Sequence, residues 1–95
     1  MYLIAEQPYY KVQREVSSID QRDVEYERTI YMYNDKIVTQ HREFSIENVL
    51  DMSYRVIGQK GGLLYLHTNK GVYSYTVKSS PQQFIDAFKE HVKYN

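Results

Sequence analysis

The 95-residue chain contains no cysteine, which excludes disulfides, thiolate nucleophiles and cysteine-ligated zinc or iron–sulfur centres and leaves the redox compartment unread. It also lacks any apolar run approaching the roughly 20 residues of a membrane span. The apolar start from Met1 to Ala5 has neither the basic flank nor the length of a signal peptide. A soluble cytoplasmic protein with no integral membrane association is therefore the expectation. Net charge is absent too: 12 Lys and Arg balance 12 Asp and Glu. That balance removes the broad attraction that draws proteins to nucleic-acid phosphates or anionic lipid, so nucleic acid is a disfavoured partner. There is no internal repeat and no low-complexity segment. A chain of this length fits one domain over residues 1–95, burying about 60 to 65% of its unfolded surface, enough for a modest core without staples.

What is present is a series of short runs rich in tyrosine and aliphatics, cut by turn signals at Asn34-Asp35, Gln59-Lys60-Gly61-Gly62 and Asn69-Lys70-Gly71. From Val24 the alternation Val24, Tyr26, Ile30, Met32 faces one way, with Glu25, Glu27, Thr29 and Tyr31 opposite, the period of a half-buried strand. Arg28 interrupts the apolar face, which points to an exposed edge or a bulge. The polar pair Asn34-Asp35 between β-prone runs predicts a tight hairpin into Lys36–Thr39. A second alternation assigns Leu50, Met52, Tyr54 and Val56 to one face. Two further strands, Leu63–His67 and Val72–Val77, follow as hairpins, with Tyr73, Tyr75 and Val77 sharing a face.

Residues 1–23 carry the weakest signal: Tyr9 to Val16 mixes β-prone residues with charge, and Ser17 to Asp20 fits either a loop or a helical turn. Ser45 to Asn48 fits a short turn capped by Ser45 and anchored by Ile46 and Val49. The ending is clearer. Ser80 is a capable cap, Pro81 suits the first helical position, and Gln83 completes a capping-box spacing. The helix expected over Pro81 to Lys93 carries Phe84, Ala87, Phe88, His91 and Val92 on one stripe, which must cover an apolar surface such as the open mouth of a bent sheet.

This order of elements resembles the bacterial branch of pleckstrin-homology-like domains. The residues that carry the likeness are Tyr31–Val38, Arg42–Met52 and the closing Ser80-Pro81-Gln82-Gln83-Phe84-Ile85. The resemblance implies an α+β fold: a strongly bent antiparallel sheet, or partly open barrel, of about six to seven strands capped by one C-terminal α-helix. It does not carry over phosphoinositide binding. Lipid-gripping members place several Lys and Arg on the first strands and their loop, whereas Asn34-Asp35 has only Lys36 beside it. The loop Ser17 to Asp23 offers Arg22 against Asp20 and Asp23.

The residues point to binding ahead of catalysis. His41, His67 and His91 lie 26 and 24 residues apart, matching no short metal or catalytic motif. His91 reads as a packed or rim residue, and His41 and His67 as solvated. Glu25 and Glu27 share a strand face, but such neighbours are ordinary on exposed strands. Gly61-Gly62 reads as a turn, and no pattern calls for a cofactor or a metal. The one excess is eleven tyrosines, which suit sheets because the ring packs while the hydroxyl stays polar. Outward rings at Tyr31 and Tyr33 are the candidate binding residues, since rigid aromatics supply contact area at low entropic cost. The expected function is a binding or scaffolding module, not an enzyme, that engages a protein, a peptide or a second copy of itself through a sheet edge or the tyrosine face. The alternative is a binder of a small molecule or lipid headgroup at one end of the barrel.

Overall fold

The computed structural model describes residues 2–16, 21–59 and 61–93. Among them are seven strands and one α-helix: β1 (Leu3–Val16), β2 (Gln21–Tyr33), β3 (Lys36–Val38), β4 (Glu43–Ser45), β5 (Val49–Val56), β6 (Gly62–Thr68), β7 (Gly71–Val77) and α1 (Gln82–Lys93). A single 3-10 turn at Ile46–Asn48 joins β4 to β5. The strands form one antiparallel sheet in the order β4-β3-β2-β1-β7-β6-β5. The sheet does not close, and α1 lies against β1 and β5. The fold is thus α+β, consistent with a partly open barrel under one C-terminal helix.

Period-2 patterning explains most of it. Ile30 and Met32 from β2, Ile37 from β3, Met52 from β5, Leu64 and Leu66 from β6 and Val77 from β7 point to one interior. Phe84, Ile85 and Phe88 of α1 fill that interior from the open side. The predicted hairpin at Asn34-Asp35 pairs Tyr31 with Val38 and Met32 with Ile37. The helix starts as its sequence dictates: Ser80 Oγ accepts the Gln82 N–H at 3.3 Å, and the Pro81 carbonyl accepts the Ile85 N–H at 2.9 Å. Ile85 widens the expected stripe, while Gln82, Asp86, Lys89 and Glu90 face water.

Three local expectations are corrected. Leu50 does not share the core face of β5 but is 66% exposed, and Val56 is likewise exposed. The pairing jumps from Val49↔Thr68 to Asp51↔His67, a bulge in which Leu50 has no partner, so Val49 turns inward in its place. The Ser45 side chain makes no cap hydrogen bond; the Ile46 N–H donates to the Asp35 carbonyl, and the Val49 N–H to that of Ile46. His67 is half-buried and bonded rather than solvated, as described below. The expectation for Ser17 to Asp20, and Lys60 within its predicted turn, lie outside the described residues.

The N-terminal segment is the largest difference from the sequence reading. Residues Leu3–Val16 form the longest strand, paired with β2 from Leu3↔Tyr33 to Val16↔Gln21. Among the described residues, no other strand accompanies this pair beyond its base. β7 meets β1 at Tyr10↔Thr76, and β3 meets β2 at Tyr31 and Met32. Arg28 therefore lies on an edge-exposed stretch, the first of its two expected explanations.

Candidate functional site

Among the described residues, beyond Tyr10 and before Ile30 the β1–β2 pair continues as a two-stranded arm with no further strand paired to either edge. Six rungs at about 3.3 Å each carry it roughly 20 Å past the last neighbouring strand. The arm accounts for much of a 55 Å long axis against 27 and 24 Å in the other directions. It exposes large apolar side chains, with Val12 54% and Val16 67% accessible. A lone two-stranded ribbon is marginally stable in water, so an arm of this kind is poorly satisfied by its own contacts.

Residues directly opposite in an antiparallel pair share a face, so the register sorts the arm's side chains. The face continuous with the core carries Tyr9 with Arg28, Lys11 with Tyr26, and Gln13 with Val24. The reverse face carries Tyr10 with Glu27 and Val12 with Glu25, and Asp23 follows on the same side. Arg22, Val24, Tyr26 and Arg28 thus alternate with Asp23, Glu25 and Glu27, placing cations on one face of β2 and acids on the other. Near the tip the register sets Arg14 across from Asp23 and Glu15 across from Arg22. On the acidic face Lys78 forms an ion pair with Glu25 and lies 4.4 Å over the Tyr10 ring. That pair raises the Lys78 ammonium above its ordinary pKa, chiefly through the hydrogen bond to Glu25.

A cleft of about 460 Å³ opens where the core-side face of the arm leaves the body. Its walls come from β1, β7 and the β3–β4 loop, and its principal side chains are Tyr9, Lys11, Thr39, His41, Arg42 and Tyr75. The loop is fixed by a local lattice: the Thr39 N–H donates to the Arg42 carbonyl at 2.8 Å, and the Arg42 N–H to Thr39 Oγ1 at 3.1 Å. The Gln40 N–H donates to the Tyr9 hydroxyl at 3.2 Å, tying the loop to β1. Tyr9 and Tyr75 meet edge to face at 5.1 Å, and the Arg42 guanidinium lies 4.6 Å over the Tyr73 ring. Burial pushes the Tyr75 hydroxyl above its usual pKa, outweighing the hydrogen bond with Thr39 and the field of Arg42. Among the described residues no Asp or Glu lines this cleft, although acids equal bases in the whole chain. The cleft is locally cationic, rigidly floored by tyrosine and suited to hold an anionic group.

The sequence-predicted tyrosines lie elsewhere. Tyr31 is 38% exposed and Tyr33 half-buried, with ring centroids 6.5 Å apart. Tyr31 continues the acidic face of β2 toward the body, and neither ring lines the cleft. His41, read as solvated, is exposed and forms part of the cleft wall. His91 lies on the helix rim, its Nε2 2.9 Å from the Asn34 carbonyl, and so ties α1 to the β2–β3 turn.

His67 Nε2 lies 2.7 Å from Ser53 Oγ, and the register places Asp51 opposite His67. A serine, a histidine and a carboxylate on one hairpin face superficially match a nucleophilic triad. Neither Ser53 nor His67 borders the cleft or the 350 Å³ hollow on the far side of Arg42. Among the described residues there is no group of three or more His, Cys, Asp or Glu that could hold a metal ion. Likewise, among the described residues no helix is long and apolar enough to cross a membrane. No protein-family model matches the chain, and no curated protein matches it significantly.

Proposed function

We propose that this chain is a protein-interaction module of pleckstrin-homology-like architecture whose binding element is the β1–β2 arm together with the tyrosine-floored cleft at its base. The strand order and the closing helix support the architectural reading. The observation that carries the function is the arm itself: a ribbon extending past every neighbouring strand, with two unpaired edges and exposed valines, is a costly element for a monomer to maintain alone. Docking a partner on it supplies the missing contacts. The two Tyr31 and Tyr33 rings extend the same surface at the base of β2.

The test compares two equally exposed aliphatic positions, Val16 on the arm at 67% and Leu50 on β5 at 66%. A photoreactive residue at Val16 is expected to form protein adducts under native conditions, and the same residue at Leu50 to form few. Adducts from Leu50 alone, or equal yields from both, contradict the reading. A second reading, a small anionic ligand in the cleft, is favoured by the absence of carboxylates among residues that include Lys11, His41 and Arg42. It predicts that a phosphorylated small molecule raises the melting temperature and that Lys11→Gln with Arg42→Gln abolishes the rise.

A further inference from the structure

Resting on the reading of the arm as the binding element, we infer that the occupant of the cationic cleft is the acidic face of the arm of a second copy of this chain. Charge complementarity carries the inference. A chain with no net charge gains electrostatically from self-association only if its charges are segregated, and on this arm they are. Lys11 and Arg28 stand on the core-side face, continuous with His41 and Arg42 of the loop. Asp23, Glu25 and Glu27 stand on the reverse face. Lys78 engages Glu25 there, while Glu27 and Asp23 remain exposed beside the apolar Val12 and the ring of Tyr10. A cleft of about 460 Å³ has room for a few side chains of such a strand, and its tyrosine floor offers flat contact for Val12 and Tyr10.

The same segregation argues against the simpler edge-to-edge dimer. Two β2 edges paired antiparallel about a twofold axis keep their faces aligned, so odd-numbered residues always oppose odd-numbered residues. In registers centred between Asp23 and Glu27, which pair the most of the arm, acids of one copy would then lie against acids of the other, which is unfavourable. Face-to-cleft docking instead brings Asp23 and Glu27 toward Lys11 and Arg42. Arm and cleft are different surfaces, so two copies either dock each other's arms about a twofold axis or continue head-to-tail as a ring or an open chain.

The experiment is a charge exchange read by sedimentation. The unmodified chain is expected to show a mass that rises with concentration across roughly 10 μM to 1 mM, the range of a modest interface. That mass is expected to fall as salt screens the contact. Asp23→Lys with Glu27→Lys makes the arm basic, and Lys11→Glu with Arg42→Glu makes the cleft acidic; these side chains are exposed, and far-ultraviolet spectra check that both variants fold. Each variant alone is expected to be monomeric, whereas an equimolar mixture regains assembly because one variant keeps a native cleft and the other a native arm. If the acidic-cleft variant is misfolded, Lys11→Gln with Arg42→Gln replaces it with the same expectations. A parent that stays monomeric throughout, variants that assemble on their own, or a mixture that stays monomeric each overturns the inference. Adducts from Val16 to a different protein, with the parent monomeric, overturn the second copy as occupant and leave the arm as the binding element; absence of any adduct removes both.

Discussion

Replacing Phe88 with Ala probes the element on which the whole arrangement depends. Phe88 is almost wholly enclosed, between Phe84 on its own helix and the sheet interior that contains Ile30, Met52 and Leu66. The two halves of the sheet, β4-β3-β2-β1 and β7-β6-β5, meet through the pair Tyr10↔Thr76, and α1 bridges them by lying on both β1 and β5. Loss of the ring forfeits the transfer term of about 1.5 to 3 kcal/mol and leaves a cavity that the strands cannot close, for a total near 3 to 5 kcal/mol. A domain of this length has roughly 5 to 14 kcal/mol in all, so the variant should forfeit a large share of its stability at 25 °C. In urea the midpoint should drop by on the order of 2 M, given a slope of about 1 to 3 kcal/mol per molar. Val92→Ala on the exposed end of the same helix serves as the control and should change stability by less than about 1 kcal/mol. A Phe88→Ala loss no larger than that of the control would refute the bridging role of α1.

Gly62→Ala should destabilise the β5–β6 hairpin, because a Cβ there would run into the Arg55 carbonyl; retention of the parental urea midpoint would contradict the close approach. Tyr31→Ser with Tyr33→Ser should alter stability modestly while weakening partner capture, and a loss of several kcal/mol in urea would show that these rings belong to the core instead. Because the folded-state pKa of Tyr75 is raised, the stability linked to its protonated form is full below about pH 10 and is lost as pH climbs through the folded value. Lys36, bonded to Glu43 at 3.0 Å, and Lys78, bonded to Glu25, are raised too and act in the same direction. Tyr75→Phe should therefore remove part of the alkaline fall, and an unchanged pH profile by thermal melting would count against this assignment.

The parts of the fold legible in the sequence were those where burial is one-sided. Ile30 and Met32, Tyr73 to Val77, and the Phe84–Phe88 stripe each bury one face, so hydrophobic period alone reveals them. The β5 face was misread at Leu50 because a bulge shifts the period by one without changing composition. β1 was obscured for a different reason: of its core-side residues, Gln7 is polar though buried, and Lys11 and Gln13 are polar because the strand has by then left the body, so Tyr9 alone signals the core. The shared face of Glu25 and Glu27 was readable from spacing, but its pairing with Lys78 was not. The cleft was illegible because Tyr9, Lys11, Arg42 and Tyr75 come from distant parts of the chain and meet through sheet order and the Thr39–Arg42 loop. The Ser53–His67 contact follows from hairpin register and would have needed the bulge to be known first.

Hydrogen exchange resolved to single amides, on the chain at low concentration and again when concentrated, tests most directly whether the arm is an unsatisfied ribbon awaiting a partner. In the dilute protein, amides of residues 11–16 and 21–29 should exchange orders of magnitude faster than those of Ile30, Met32, Leu64 and Leu66. On concentration the arm amides should slow while the core amides stay as they were. Arm amides protected as strongly as the core in the dilute monomer would contradict the account, because the ribbon would then be stable without any partner.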